Sequence, residues 1–339
     1  MSFKKYTAVL IALILLLTEF SCFAEETAGA EPGEISYTLP DGRSSLYVLK
    51  EGEECPFLAA GEVPEITVDS YRSEDVYIRI TSDRYTIFTT PKGKKEERSS
   101  AMFYCADIYI RDIRCMERVY ANGKFASSSA KVTKMADDAN AILATNGDYA
   151  CELSQGVVIA NGKVMRKNSN RKRDMCVIRT DGTMSVIPYG TSMDYKKMIS
   201  DGLLDDSVWH MFLFGPNLLD ENGDVFEYKV FSSKTNVSTN NPRTAIGYFE
   251  PGHYCLVVTD GRTKASLGLR IEALAQFMKE LGCKAAYNLD GGQSSQMCYL
   301  GNIINKPYNN GRKVNDILII RDLKDEERQT PLTMPEQNK

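Results

Sequence analysis

The chain has 339 residues, of which 43% are hydrophobic and 25% charged, and its formal net charge is −4. That apolar content supplies one large core or two small ones, and the slight acidic balance offers no basic field for nucleic acid. No G-x-x-x-x-G-K-[ST] loop, G-x-G-x-x-G turn or G-x-S-x-G elbow occurs, and there are only two histidines, His210 and His253. Nucleotide-dependent, serine-hydrolase and histidine-centred metal chemistries therefore lack their usual residues.

Residues 1–24 read as an export signal: Lys4 and Lys5, an apolar run over 8–17, and a small-residue site ending in Ala24. The run is short for a membrane span, and an uncleaved anchor is the alternative; either places the remainder outside the cytoplasm, secreted or in the cell envelope. Eight of the nine cysteines follow the signal, which permits disulfides without specifying their pairing. Cys255 and Cys283 lie in apolar runs that suit either a bridge or buried thiols, and with no C-x-x-C no structural zinc is expected.

Residues 25–75, rich in Glu, Gly, Pro and Ser, read as a linker with a small β region. A catalytic domain is expected over 76–322 and a charged flexible tail over 323–339. Residues 76–80 and 108–110 alternate as half-buried strands around a Lys-rich loop at 91–100. A short helix spans 130–140, and 141–145 is a buried strand running into Asn146-Gly147-Asp148. Asn161-Gly162 and Asp181-Gly182 mark hairpins, and Asn222-Gly223 is a third candidate.

Residues 245–249 and 254–259 flank Glu250-Pro251-Gly252-His253, a turn that makes them an antiparallel hairpin and sets Arg243 opposite Asp260 to within one residue. An apolar stripe from Leu267 to Leu281 predicts a helix closed by Gly282, followed by a strand at 284–289. Strand, helix and strand so closely joined imply a parallel pair with a right-handed crossover. The expected fold is thus α+β: a mixed sheet with several hairpins, at least one β-α-β crossover, and helices packed on the sheet. Its topology gathers Arg243, Asp260, Arg262 and Asp290 at one rim, and Asn146 and Asp148 join them if their strand is parallel to the others.

Candidate chemistry concentrates there. Asn288-Leu289-Asp290-Gly291-Gly292-Gln293-Ser294-Ser295 sets a carboxylate at a strand end beside two glycines, whose amides can turn toward an anion, and two hydroxyls. Asp290 then suits proton transfer or support of positive charge at a sugar carbon; a plain turn is the alternative. Arg243 and Thr244, beside Pro242, suit a fixed grip on a phosphate, against the alternative of a surface ion pair with Asp260. Arg262 is an even choice between phosphate ligand and solvated charge. Asn146, Gly147 and Asp148 supply an amide, a flexible backbone and the second carboxylate that glycosidic acid–base work needs. A divalent cation on Asp148, Asp260 and Asp290 is conceivable with oxygen ligands but not favoured, so no cofactor is expected.

At these residues the chain resembles the phosphodiester glycosidase family. The resemblance rests on Asn146-Gly147-Asp148, Gly215-Pro216-Asn217-Leu218-Leu219, the run from Asn241 to Gly247, Asp260-Gly261-Arg262, the run from Asn288 to Ser295, and Gly311-Arg312-Lys313-Val314, in order over roughly 180 residues. It implies hydrolysis of a glycosyl phosphodiester by a mixed α and β domain, releasing a sugar and leaving a phosphomonoester. The implied partner is a glycosyl-phosphate polysaccharide or a small glycosyl phosphodiester, not nucleic acid. The rival readings are a domain that binds sugar phosphates without turnover and a phosphodiesterase that breaks the P–O bond.

Overall fold

A computed structural model of the chain describes residues 37–89, 95–126, 128–153, 156–167, 173–188, 194–220, 222–226 and 238–335. The expected export signal at 1–24 lies outside them, as do residues 25–36. Among the described residues no helix is long and apolar enough to cross a membrane.

β1 (Tyr37–Thr38) and β2 (Ser44–Ser45) form a short ribbon, and β3 (Glu65–Ile66), β4 (Ser70–Arg72), β5 (Val76–Thr89) and β6 (Glu97–Ile110) form a meander. β5 and β6 are far longer than the alternation at 76–80 and 108–110 suggests. Thr81, Tyr85, Thr86, Ile87, Phe88 and Thr89 are β-branched or aromatic, and they carry the ribbon into the segment expected as a loop. There follow β7 (Met116–Tyr120), α1 (Val132–Asp138), β8 (Leu143–Asn146), the hairpins β9 (Val158–Ala160) with β10 (Lys163–Arg166) and β11 (Met175–Arg179) with β12 (Met184–Ile187), α2 (Tyr195–Ser200) and β13 (Val208–Phe212). The chain continues through β14 (Arg243–Glu250), β15 (His253–Thr259), α3 (Ile271–Glu280), β16 (Ala285–Asn288), β17 (Met297–Tyr299), β18 (Asn302–Ile303), β19 (Asp316–Ile320) and α4 (Asp325–Gln329).

The longer strands build three sheets. Their orders are β16-β14-β15-β6-β5-β4-β3, β10-β9-β13-β11-β12 and β18-β17-β8-β19-β7. One apolar cluster takes Ile78 and Ile108 from the first, Ile178 and Phe212 from the second, and Leu143 and Leu318 from the third, so the inner faces of all three sheets share a core. Each outer face carries one helix: α3 on the first sheet, α2 on the second, α1 on the third. Every ladder among the described strands is antiparallel. β15 and β16 both pair antiparallel with β14, which lies between them, so they run the same way without forming the expected parallel pair. β8 belongs to the third sheet, where it pairs antiparallel with β17 and β19, and it shares no ladder with the strands of the β14 sheet.

Residues 37–75, expected as a linker with a small β region, supply β1 to β4; Arg43 donates to the carbonyls of Leu58 and Glu74, each at 2.7 Å. The segment expected as a flexible tail contains α4, whose Arg328 pairs with the buried Asp75 at 2.8 Å. The eight described cysteines are thiols, and Cys255 and Cys283 lie with their sulfurs 3.7 Å apart under α3.

Candidate active site

Three strand ends meet at one place. β8 ends at Asn146, β16 gives way to the 289–296 loop, and β19 begins at Asp316 beside the 308–315 segment. Asn146 ties them together: its Nδ2 donates to the Asp290 carbonyl at 2.7 Å, and its Oδ1 accepts from the Thr244 hydroxyl at 2.8 Å and from the Gln296 amide at 3.3 Å. A buried amide side chain with these partners fixes the relative position of two sheets that share no ladder. The Asp290 amide donates to the Gly147 carbonyl at 3.2 Å and the Gly147 amide to the Asp316 carbonyl at 3.0 Å, completing the junction.

Between these ends lies a cavity of about 180 Å³. Asn146, Gly147, Asp290 and Ser294 line it from the expected set, and Asp316, Arg312, Lys313, Tyr149 and Glu152 join them. Gly147 is required by close approach, because a Cβ there would collide with the Asp316 carboxylate. Arg312 spans the opposite wall, with Nη2 donating to Asp290 Oδ2 at 2.6 Å, Nε donating to Ser294 Oγ at 2.5 Å, and the guanidinium 5.4 Å from the Tyr149 ring.

Behind the cavity sits a fully buried charge triad. Arg118, on β7, donates through Nε to Asp316 Oδ2 at 2.6 Å and through Nη2 to Asp148 Oδ1. Asp148 also accepts the amides of Leu213 at 2.6 Å and Ala150 at 2.9 Å, so its carboxylate is enclosed by donors and does not line the cavity. Burial opposes the charge of Arg118, but Asp148 and Asp316 outweigh it and hold the guanidinium pKa well above its ordinary value. Burial pushes Asp316 up to about 6; Arg118 pulls against that shift, while Asp148 and Asp290 add to it. Burial also raises Asp290 above the usual carboxylate range, against the pull of Ser294 and Arg312.

Several expected residues stand elsewhere. A bulge in the β14–β15 hairpin between Tyr248 and Glu250 shifts the register by one, so Arg243 opposes Thr259, within the one-residue margin of the expected pairing with Asp260. The Arg243 guanidinium, buried, donates to the Leu269 carbonyl at 2.9 Å and the Thr239 carbonyl at 3.0 Å and does not line the cavity. Asp260 accepts from Asn305 Nδ2 at 3.1 Å and from the Lys306 amide at 2.9 Å; burial raises its pKa against those bonds. Because Asn305 also donates to the Ser295 carbonyl at 3.2 Å, Asp260 supports the 289–296 loop from behind. Arg262 is exposed, donates to Asn241 at 2.9 Å and lies 5.2 Å from the Tyr308 ring. The expected anion nest is not formed: the Gly291 amide donates to Asp290 Oδ1 and the Gly292 amide to the Pro242 carbonyl, each at 2.9 Å. Gly292 takes a φ of +67°, which a side chain would strain. Asn288 donates to the Gly215 carbonyl at 2.8 Å, and Ser295 is buried with its hydroxyl unpartnered among the described residues. Asp148, Asp260 and Asp290 do not converge, and among the described residues no group of three or more acidic, His or Cys side chains is arranged to hold a metal ion.

Sequence reasoning missed Asp316, Arg312 and Arg118. Asp316 carried one signal, a carboxylate immediately before the strand 317–320, and Arg312 lay in the Gly311-Arg312-Lys313-Val314 run without an assigned role.

Residues 139–321 match the phosphodiester glycosidase family. The mouse N-acetylglucosamine-1-phosphodiester alpha-N-acetylglucosaminidase is 26% identical over 216 residues, which cover 58% of this chain and 39% of that protein. An SPbeta prophage-derived uncharacterized protein of Bacillus subtilis, YomE, is 31% identical over 132 residues, 39% of this chain and 19% of that one. The chain thus spans less than half the length of either relative. In fold it is similar to the catalytic domain of the zebrafish N-acetylglucosamine-1-phosphodiester alpha-N-acetylglucosaminidase, solved auto-inhibited by its pro-peptide, with a TM-score of 0.55 at 20% identity over 74% of this chain and 89% of that one. A hypothetical protein from Synechocystis gives a TM-score of 0.50 at 16% identity, over 74% of this chain and 63% of the other. The matched segment spans more than half of the sequence and takes in Asn146, Asp290, Arg312 and Asp316, and the chain belongs to the phosphodiester glycosidase family.

Proposed function

We propose that this protein is an exported hydrolase that cleaves the sugar–phosphate bond of a glycosyl-1-phosphodiester in cell-envelope or extracellular polysaccharide, without a cofactor. The observation that carries the reading is the presence of two carboxylates, Asp290 and Asp316, on one small cavity faced by Arg312. Family membership supplies the bond class, and the signal-like residues 1–24 support the extracytoplasmic setting.

Glycosidic cleavage needs one group that gives a proton to the departing oxygen and another that activates water or meets the sugar carbon. Asp316, with its pKa near 6, keeps its proton in mildly acidic solution and is the donor. Asp290, paired with Arg312, is the carboxylate that faces the developing positive charge. Arg312 and Lys313 supply the cations that hold the phosphate, in place of the role first expected of Arg243 and the Gly291-Gly292 amides. Asp148, enclosed by Arg118 and two amides, positions the acid and does not touch substrate. Phosphate is a fair leaving group, so the proton donor is less critical here than for an ordinary glycoside.

The test is hydrolysis of a panel of glycosyl-1-phosphodiesters in oxygen-18 water, with Asp290→Asn alongside. Label in the released sugar and loss of turnover with retained binding in the variant are expected. Label in the phosphate would assign the reaction to P–O cleavage, and wild-type protein that binds the panel without turnover would make the domain a binder.

A further inference from the structure

A second concavity, about 460 Å³, lies between the segment after β2 and the outer face of the seven-stranded sheet. Its floor is set by the ladder. Arg72, Tyr77, Tyr109 and His253 form one cross-strand row, and Ser70, Arg79, Asp107 and Cys255 form the next row on the same face. The Tyr77 and Tyr109 rings lie 5.9 Å apart at 32°, both half-buried. His253 stacks on Tyr109 at 4.0 Å and donates toward Asp107 at 2.8 Å, so Tyr109 is braced from behind. Tyr47 stands edge-on to Tyr109, its hydroxyl donating to Glu53 at 2.8 Å. Arg72 fastens the wall above by donating to the carbonyls of Pro56 at 3.0 Å and Cys55 at 2.6 Å.

We propose that this cleft is a saccharide-binding site separate from the carboxylate cavity, one that takes a neutral sugar unit of a polymeric ligand. Sugars present an apolar face of C–H groups and a rim of hydroxyls that donate and accept together. A tyrosine floor ringed by guanidinium and carboxylate groups complements both. The alternatives fit worse. Four carboxylates, on Glu53, Glu54, Glu65 and Asp107, face two guanidiniums, on Arg72 and Arg79, which disfavours a phosphate or other anion. A charged rim disfavours a lipid chain. An extended peptide finds little backbone to pair with, because β4, β5 and β6 are each paired on both sides and the edge strand β3 offers only two residues. The volume falls within the range of small-molecule sites.

The cleft lies at the hairpin end of β15, opposite Tyr109, whereas Thr259 and Arg243 mark the other end of that strand, about 20 Å away along it. A polymer engaging both sites gains effective concentration at the cavity, and a small substrate does not. Tyr77→Ala therefore raises KM for polymer and leaves KM for a small glycosyl phosphodiester unchanged.

The experiment applies the full chain, Tyr77→Ala and Asp290→Asn to an array of immobilised short neutral oligosaccharides. At least one oligosaccharide should bind the wild type and Asp290→Asn equally, and bind Tyr77→Ala about tenfold more weakly or worse. Should Tyr77→Ala fold poorly, Arg79→Ala, at an exposed rim position, gives the same comparison. The proposal is overturned if no oligosaccharide binds, or if binding survives both cleft variants and is lost in Asp290→Asn. Array binding without any hydrolysis would refute the proposed activity and leave the cleft intact; hydrolysis without array binding would do the reverse.

Discussion

Arg118→Met removes the only cation of the buried triad while keeping an unbranched apolar stem of similar reach. Asp148 and Asp316 are fully buried and 2% exposed at their side chains, so neither carboxylate regains solvent when the guanidinium goes. Breaking a buried ion pair by deleting one partner costs about 3–5 kcal/mol. The cost depends on pH, and its sign follows from Asp316. In the wild type its pKa rises from 3.8 to about 6, so the folded state holds a proton that the unfolded chain releases. Stability from this group therefore falls as pH rises through that window, by on the order of 3 kcal/mol. Without Arg118 the folded pKa rises further and the loss continues above pH 6. The deficit of the variant against wild type should be smaller at pH 5, where Asp316 is protonated in both and only the Arg118–Asp148 pair is lost, than at pH 8, where Asp316 is also left ionised and unpaired in the variant. Asp148 keeps the Leu213 and Ala150 amides in either case, which limits its share. Urea unfolding at the two pH values measures the difference, and adding Asp316→Asn to Arg118→Met should recover much of the loss at pH 8. A deficit equal at pH 5 and pH 8, or below about 1 kcal/mol at pH 8, would refute the triad as the organiser of this site.

Asp316→Asn should lower kcat on a glycosyl-1-phosphodiester by about 10²-fold or more, within the usual range for a general acid. The wild-type pH–rate profile should fall as pH rises through about 6, the pKa of the donor, and the variant should lack that limb. Arg243→Lys should destabilise the protein by about 1–2 kcal/mol, because one ammonium cannot span the Thr239 and Leu269 carbonyls as the guanidinium does. Its KM should stay within about twofold of wild type, a result that thermal melts and steady-state kinetics together would check; a large rise in KM with unchanged stability would return Arg243 to the phosphate.

The parts of the site that sequence made legible are those fixed by local signals. The Pro251-Gly252 turn located the β14–β15 hairpin, the apolar stripe located α3, and the Asp-Gly-Gly run after β16 located Asp290. What was not legible depends on ladders between distant segments. Asp316 pairs with Tyr120, which sets it diagonally across from Arg118, and no spacing within residues 310–320 announces a partner nearly two hundred positions earlier. A single-residue bulge likewise sets Thr259 directly opposite Arg243, a one-step shift that the turn sequence leaves open. The strand expected at 141–145 overlaps β8, but its membership of a different sheet was not legible, since a short apolar run carries no record of its neighbours.

The tripeptide Asn146-Gly147-Asp148 does three separate jobs that its sequence does not distinguish. Asn146 holds the Asp290 loop, Gly147 gives up a side chain so that the Asp316 carboxylate fits against it, and Asp148 faces away from the cavity to take one side of Arg118. Because Arg118 is shared, its charge is neutralised by Asp148 alone whenever Asp316 is protonated, and the buried site then carries no excess charge. Were Asp148 absent, Arg118 would hold Asp316 ionised and the proton donor would be lost. The second carboxylate expected at this tripeptide is thus necessary to the proposed chemistry by keeping another carboxylate protonated.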